Sequence, residues 1–434
     1  MLDKDNIFFK KKILIYGLGK SGLSAYRFLK KDNKIYLYDD DKIKNQNLEI
    51  KKKLIQYQDI IHEKIDCIII SPGIDIKKCK LKNFLKKNYD KIHTNLDVFY
   101  YYYKKNKNIT ITGTNGKSTT VKIIYEVLKC QKIDARLVGN IGNPILSEIK
   151  ITPKTVFVIE ASSYQLEYSK IFKSHLAAIL NISPDHLERH GSIRNYIKAK
   201  FKLIKTQTKK DFTFLNTNNL FIKRYLSGQR ILSKIIKINK TVQSKVLKKI
   251  DNSNFLSDGN KENLSFVFEI AKKMKISKNN LFKVLQKFNG LDFRQQVIFK
   301  SKNLIIINDS KATSFSSTAS ILRSITNVYW IVGGQAKKGD KFLLNKSECK
   351  NMEAYIFGKN KKFFINKLKK KINYQLFDDL KSSIKKILID VKKNNKKQHI
   401  ILFSPAAASF DSFKNFEDRG NYFNHLIKGM LDAE

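Results

Sequence analysis

Gly113-Thr114-Asn115-Gly116-Lys117-Ser118-Thr119 stands between an apolar run containing Ile109 and Ile111 and a segment with Val121, Ile124, Tyr125 and Leu128 at i, i+3, i+4 and i+7. That order predicts a strand, a tight glycine turn and an amphipathic helix. Such a turn aims backbone N–H groups and a helix N-terminus at an anion, and Lys117 adds a point charge. Ser118 is placed to put a hydroxyl on the magnesium that accompanies ATP. The usual phosphate loop has four residues between its glycines, whereas only Thr114 and Asn115 intervene here. The loop is a short variant of a nucleotide-binding turn.

A second glycine turn opens the chain. Lys12–Tyr16 reads as a strand and is followed by Gly17-Leu18-Gly19-Lys20-Ser21-Gly22, then a helix-like stretch to Lys31. The next strand, Ile35–Tyr38, ends at Asp39. This is the dinucleotide fingerprint in its proper context. The turn fits any pyrophosphate, so NAD and a nucleoside-diphosphate sugar are both open at this point. Ser71-Pro72-Gly73, after the strand Asp66–Ile70, adds a tight turn at the same sheet edge.

Composition bounds the partners. The chain of 434 residues is long enough for two to four domains. Its formal charge of +47 invites a nucleic-acid reading, but only nine of its 85 basic residues are arginine. Lysines are spread through every region among apolar positions, as at Lys10–Lys12, Lys51–Lys53 and Lys369–Lys371. A dedicated nucleic-acid surface would cluster arginine with aromatics on one face, so none is expected. Cys67, Cys79, Cys130 and Cys349 form no CxxC pair, which argues against a disulfide framework or a zinc ribbon and fits a reducing cytoplasm. The first residues carry Asp3 and Asp5 and no apolar core, unlike a signal peptide, and no stretch approaches a membrane span.

Strand–helix alternation continues through three blocks, which predicts parallel sheets covered by helices. The blocks are 1–95, 96–290 and 291–434. The second contains the strand Val156–Ile159 and a polar, lysine-rich stretch around residues 205–262; the third has strands at Leu304–Asn308, Val328–Gly333, Ala354–Phe357 and Ile400–Ser404. In the second block Asn140 sits in a turn able to present an amide to phosphate or magnesium. Glu160 closes a strand in the phosphate-loop block, where magnesium is usually held. Asp185 and His186 follow the apolar run Ala177–Leu180, as candidates for a metal or phosphate site. Lys200 carries no local signal and reads, by composition, as a surface lysine.

Taken together, Thr112–Thr119, the Glu160 strand and Asp185-His186…Lys200 resemble the Mur ligase family, of which folylpolyglutamate synthetase is a cousin. Three further motifs are similar to its D-glutamate-adding branch. They are Asn308-Asp309-Ser310-Lys311-Ala312-Thr313, Gly333-Gly334-x-x-Lys337-x-x-Asp340, and Ser404–Gly420 with Ser409, Phe416 and Arg419. The likeness covers nearly the whole chain. It implies a three-domain α/β fold: a Rossmann-like N-terminal domain binding UDP, a central P-loop ATPase domain, and a Rossmann-like C-terminal domain binding D-glutamate.

The resemblance also implies roles. Gly113, Thr114, Asn115, Gly116, Lys117, Ser118 and Thr119 would hold ATP, with Asn263 and Arg294 on the nucleotide and Asp309 on its ribose. Ser118, Glu160, His186 and a carbamylated Lys200 would organise magnesium. Lys117, Glu160, His186 and Lys200 form the implied catalytic set. Gly17, Gly19, Ser21, Gly22, Asp39 and Ser71 would hold UDP, and Asn140 and Gln165 would contact the reacting end of UDP-N-acetylmuramoyl-L-alanine. Lys311, Thr313, Lys337, Ser409 and the backbone of Phe416 would clamp D-glutamate. A monomeric enzyme is expected. Where the family has Pro-His-Arg-x-Glu, this chain has Asp292-Phe293-Arg294-Gln295-Gln296; Asp40 replaces a threonine and Ser314 an asparagine. A relative adding another amino acid, and a polyanion-binding protein without activity, are the competing expectations.

Overall fold

The computed structural model describes residues 7–41, 48–239, 242, 244–255, 257–337, 339–393 and 398–432, so Asp3 and Asp5 lie outside the described residues. The chain divides into two compact units, residues 1–240 with 266–281 and residues 241–265 with 282–434.

The first unit contains two parallel sheets. One has the order Lys34–Tyr38, Lys12–Tyr16, Cys67–Ile70, Ile92–His93. The other runs Lys234–Ile238, Phe212–Asn216, Leu176–Ile179, Asn108–Thr112, Val156–Glu160, Ala135–Gly139. The central strands are buried on both faces, as the unbroken apolar run of Cys67–Ile70 requires. The lysine-rich stretch supplies the outer strand Lys234–Ile238, whose exposed lysines suit a sheet edge.

The helix Asn95–Tyr103 joins the two sheets. Its Phe99 meets Phe157 edge-on at 4.7 Å between ring centroids. Asp97 is wholly buried yet well satisfied. Its Oδ1 accepts from Ser169 Oγ and from the N–H groups of Lys170, Ile171 and Phe172, and Oδ2 from the Thr94 N–H, at 2.8–3.0 Å. With the Thr94 hydroxyl, which also donates to Oδ2 at 3.0 Å, six donors compensate the desolvation of one carboxylate.

The second unit holds a six-stranded sheet in the order Gln296–Lys300, Leu304–Asn308, His399–Phe403, Val328–Gly333, Met352–Phe357, Asn373–Phe377. The expectation of purely parallel sheets is corrected at one edge, where Gln296–Lys300 runs antiparallel to Leu304–Asn308. Only residues 301–303 join these strands, too few for a crossover connection. Leu304–Asn308, His399–Phe403 and Val328–Gly333 are adjacent, parallel and buried throughout. Their C-terminal ends therefore open on one edge, where ligands bind open α/β sheets.

Candidate active site

The phosphate-loop turn forms as its glycines dictate. Gly116 has φ +83° and caps the helix Lys117–Cys130, a conformation costing a side-chain-bearing residue roughly 1–2 kcal/mol. The helix's first N–H groups lack intrahelical acceptors and surround the loop's concave side. The loop is then pinned from below. Asn115 N–H donates to Asn181 Oδ1 at 2.9 Å, and Thr114 Oγ1 lies 3.0 Å from the Tyr196 hydroxyl. Lys117 Nζ donates to the Thr114 carbonyl at 2.8 Å.

Glu160 is buried beside this turn. Its Oε2 accepts from Ser118 Oγ at 2.6 Å and its Oε1 from Asn140 Nδ2 at 2.8 Å. A buried carboxylate paired with a hydroxyl at a phosphate loop is a hard-oxygen donor set of the kind magnesium takes while keeping several waters. Among the described residues no group of three or more His, Cys, Asp and Glu side chains is arranged to hold a metal. The donor set present is therefore the Ser118 hydroxyl and the Glu160 carboxylate, which fits a hard divalent ion.

Lys200 overturns its reading as a surface lysine. It is fully buried on the helix Ile193–Lys205, its Nζ donating to the Gly113 carbonyl at 2.7 Å and lying 4.6 Å from the Tyr196 ring centroid. Burial, then the Lys117 ammonium, push its pKa well below the usual lysine range, against the pull of Asp185 and Glu160. His186 sits at φ +54° ahead of the short helix Leu187–His190. Its Nδ1 is 3.0 Å from the Tyr164 hydroxyl, and its Nε2 3.3 Å from Asp185 Oδ2.

His190 is also buried, with Nε2 3.0 Å from Ser163 Oγ and Nδ1 3.7 Å from Glu167 Oε1. Burial first, then Arg189, push its pKa from 6.5 down to about 4. The unfolded chain thus takes up this proton near pH 6.5 and the folded chain only near 4, so stability is lost as pH falls through that window. The His190→Gln variant, which keeps a polar partner for Ser163, is expected to flatten that loss. Thermal midpoints across the window check it; parallel declines in both proteins would count against the assignment.

The N-terminal glycine turn is equally constrained. A side chain at Gly22 would come within 1.9 Å of the Gly17 carbonyl oxygen, so helix and strand can approach only through glycine. Ser71 Oγ donates to that same carbonyl at 2.6 Å, and Asp39 Oδ2 accepts the Leu18 N–H at 2.6 Å. Asp40 accepts from the Tyr16 hydroxyl at 2.6 Å. Gln165 and Ser21 line one small cavity with Pro72, Asn95 and Gly139. The Gln165 side-chain Oε1 accepts from the Ser162 N–H, closing a capping box.

In the second unit, three loops at the strand ends interlock. Asp309 follows Leu304–Asn308 and is buried; its Oδ2 accepts from Ser404 Oγ at 2.8 Å and its Oδ1 from the Gln295 N–H at 3.1 Å. Burial pushes its pKa up to about 7, against the pull of those donors and of Arg294 and Arg419. Arg419 is buried under the same loops, donating from Nη2 to the carbonyls of Ser310 at 2.7 Å and Ala407 at 3.0 Å. Lys311 Nζ stands 3.7 Å from the ring centroid of Phe416, and Phe416 begins the helix Phe416–Leu431. The Gly333-Gly334 loop leading to Lys337 pairs with the Ser409 loop through Gln335 and Ala408. Thr313 precedes the helix cap Ser314. Asn263 is buried, its amide donating to Asn260 Oδ1 at 3.2 Å.

Residues 111–281 match the Mur ligase middle domain, and residues 11–92 match the Mur ligase MurD-like N-terminal domain. The UDP-N-acetylmuramoylalanine--D-glutamate ligase of Rickettsia bellii is 31% identical over 97% of this chain and 98% of its own length. The chain belongs to the Mur ligase family. The ligases of the same name from Caldicellulosiruptor bescii and Francisella tularensis subsp. novicida are 32% and 34% identical over at least 95% of both chains. The fold is also that of solved Mur ligases. The UDP-N-acetylmuramate-alanine ligase of Thermotoga maritima aligns over 98% of this chain and all of its own, with a TM-score of 0.56 at 16% identity. The MurF ligase of the same organism, solved with ADP, aligns over 99% of each chain with a TM-score of 0.56 at 12% identity.

Within this family fold, the expected residues Lys117, Ser118, Glu160, Asn140 and Lys200 come together, as do Asp309, Lys311 and Phe416. Sequence reasoning did not single out Tyr196, Tyr164, His190 or Arg189. Arg189 donates to Glu167 and to the carbonyls of Gly73 and Ile74, tying the Ser71 loop to the His186 segment.

Proposed function

We propose that this protein joins D-glutamate to UDP-N-acetylmuramoyl-L-alanine, with ATP as the energy source. The observation that carries the reading is the convergence on one phosphate loop of the hydrogen-bonded trio Ser118, Glu160 and Asn140 with Lys117 and Lys200, which hold the loop carbonyls of Thr114 and Gly113, in a chain that matches D-glutamate ligases over nearly its whole length. In this reading residues 1–95 bind the UDP sugar, 96–290 the ATP and 291–434 the D-glutamate, and the protein acts as a cytoplasmic monomer. Among the described residues no helix is long and apolar enough to cross a membrane.

The L-alanyl carboxylate attacks the γ-phosphorus of ATP, ADP leaves, and an acyl phosphate forms. The D-glutamate amine then adds to the acyl carbon, and collapse of the tetrahedral adduct releases phosphate and leaves the amide. Lys117 and the helix N–H groups stabilise the charge on the transferring group. Ser118 and Glu160 would hold magnesium, which supplies charge neutralisation when bound. Asp185 and His186 stand by the same loop, and Asn140 orients Glu160. A neutral Lys200 amine, which its burial favours, adds to carbon dioxide and loses a proton to give a carbamate. That step turns a neutral amine into an anion fit to help organise the ion. Lys311, Thr313, Lys337, Ser409 and the free N–H of Phe416 at its helix start bind the D-glutamate carboxylates.

Phosphate release checks this. It is expected only when ATP, UDP-N-acetylmuramoyl-L-alanine and D-glutamate are all present, with L-glutamate and glycine inactive. Release with another amino acid instead moves the protein elsewhere in the family, and none under any combination overturns the reading.

A further inference from the structure

Phe293 has φ +61°, within an arch in which Gly290 and Gln295 also have positive φ. A bulky residue there is strained unless its surroundings over-determine it, and such strain clusters at functional sites. The surroundings here are specific. The Phe293 carbonyl accepts the Lys311 N–H at 2.9 Å, and its own N–H donates to Gln296 Oε1 at 3.1 Å. Its ring lies so close to Gly420 that a Cβ on that glycine would fall 2.2 Å from a ring carbon. The ring also meets Phe416 edge-on, at 6.5 Å between centroids. Phe416 and Gly420 are one helical turn apart on one face. One residue therefore touches the Lys311 loop with its backbone and the first turn of the Phe416–Leu431 helix with its ring. Between those two contacts lies the 3.7 Å stacking of the Lys311 ammonium on Phe416.

We propose that Phe293 is a positioning residue for the amino-acid substrate: its ring fixes the separation between Lys311 and the helix turn of Phe416. The proposal rests on the reading that Lys311, Ser409 and Phe416 hold D-glutamate. Without the ring, the helix turn and the lysine drift apart and carboxylate binding weakens, while the phosphate loop of the other unit is untouched.

The test is Phe293→Asn, because asparagine accepts the left-handed backbone but removes the ring. Its KM for D-glutamate is expected to rise about five- to tenfold, the worth of one aromatic contact. The KM for ATP and kcat at saturating D-glutamate should stay within about twofold. Gly420→Ala, which displaces the ring from the other side, should raise the same KM. If Phe293→Asn does not fold, Phe293→Leu carries the test with a smaller rise. An unchanged D-glutamate KM overturns the proposal, and so does a parallel rise in both KM values, which general loosening would give. Ser409→Ala separates the two readings. If it raises the D-glutamate KM while the Phe293 variants do not, only the positioning role fails. If it does not, the amino-acid site itself is misplaced and the proposal falls with it.

Discussion

Replacing Lys117 with alanine should lower turnover by at least about a thousandfold while leaving affinity for UDP-N-acetylmuramoyl-L-alanine within about threefold. The asymmetry follows from placement. Lys117 is the first residue of the helix behind the phosphate loop, and its ammonium folds onto the Thr114 carbonyl. In the proposed mechanism it adds one positive charge where phosphoryl transfer spreads negative charge over three oxygens. No backbone N–H replaces a full charge there. The glycine turn at Gly17–Gly22 is held by its own partners, Asp39 and Ser71, and none of them passes through Lys117. The fold should tolerate the change, since one partly buried hydrogen bond contributes only about 1 kcal/mol. Steady-state phosphate release and calorimetric titration with the sugar nucleotide give both numbers. ADP release at the normal rate would remove Lys117 from the chemistry.

How much of this was legible depends on what kind of constraint each residue obeys. The two glycine turns were legible because backbone geometry admits few residues: φ +83° at Gly116 in the phosphate loop disfavours a side chain, and the close approach at Gly22 in the N-terminal turn excludes one. The core strands of the third sheet were legible to within two residues because burial on both faces demands continuous apolar runs. The antiparallel edge strand was not read, although the three-residue turn before Leu304 carried the information.

Composition placed Lys200 on the surface, although the family resemblance put it in the site, and its own helix could have corrected the composition reading. Tyr196, Lys200 and Ile204 recur at i, i+4 and i+8, so the lysine lies in the middle of the apolar face. A charge at such a position has to be functional or compensated. Gln165 was taken for a substrate contact, while the Ser162-x-x-Gln165 spacing also spelled a capping box, which its side-chain Oε1 completes. Phe293 was legible only as a departure from the family's pattern, which says nothing of its backbone angle. No local rule puts a phenylalanine at positive φ; only the packing of Gly420 and Phe416, more than a hundred residues later, does so.

Lys200 also yields the second large effect. Lys200→Met replaces a buried amine by an apolar chain of similar length, so the thermal midpoint should hold or rise, because the native residue must give up its charge, or bury it, on folding. Activity should nevertheless fall by about a thousandfold or more. A residue retained against stability and lost only with activity is there for chemistry. The pH dependence has a definite sign. With its folded pKa well below 10.5, Lys200 is neutral over a window in which the unfolded chain is still protonated, so its contribution to stability improves as pH rises through that window. The neutral amine is also the form that takes up carbon dioxide. Activity should therefore fall on the acid side and in carbon-dioxide-free buffer, and bicarbonate should restore it. With labelled carbon dioxide, a carbamate carbon resonance should appear in the native protein and be missing in Lys200→Met. A native protein that keeps full activity without carbon dioxide and gives no such resonance would leave Lys200 as a plain hydrogen-bond donor to Gly113. A variant that keeps more than about a tenth of the activity would take it out of the site's chemistry altogether.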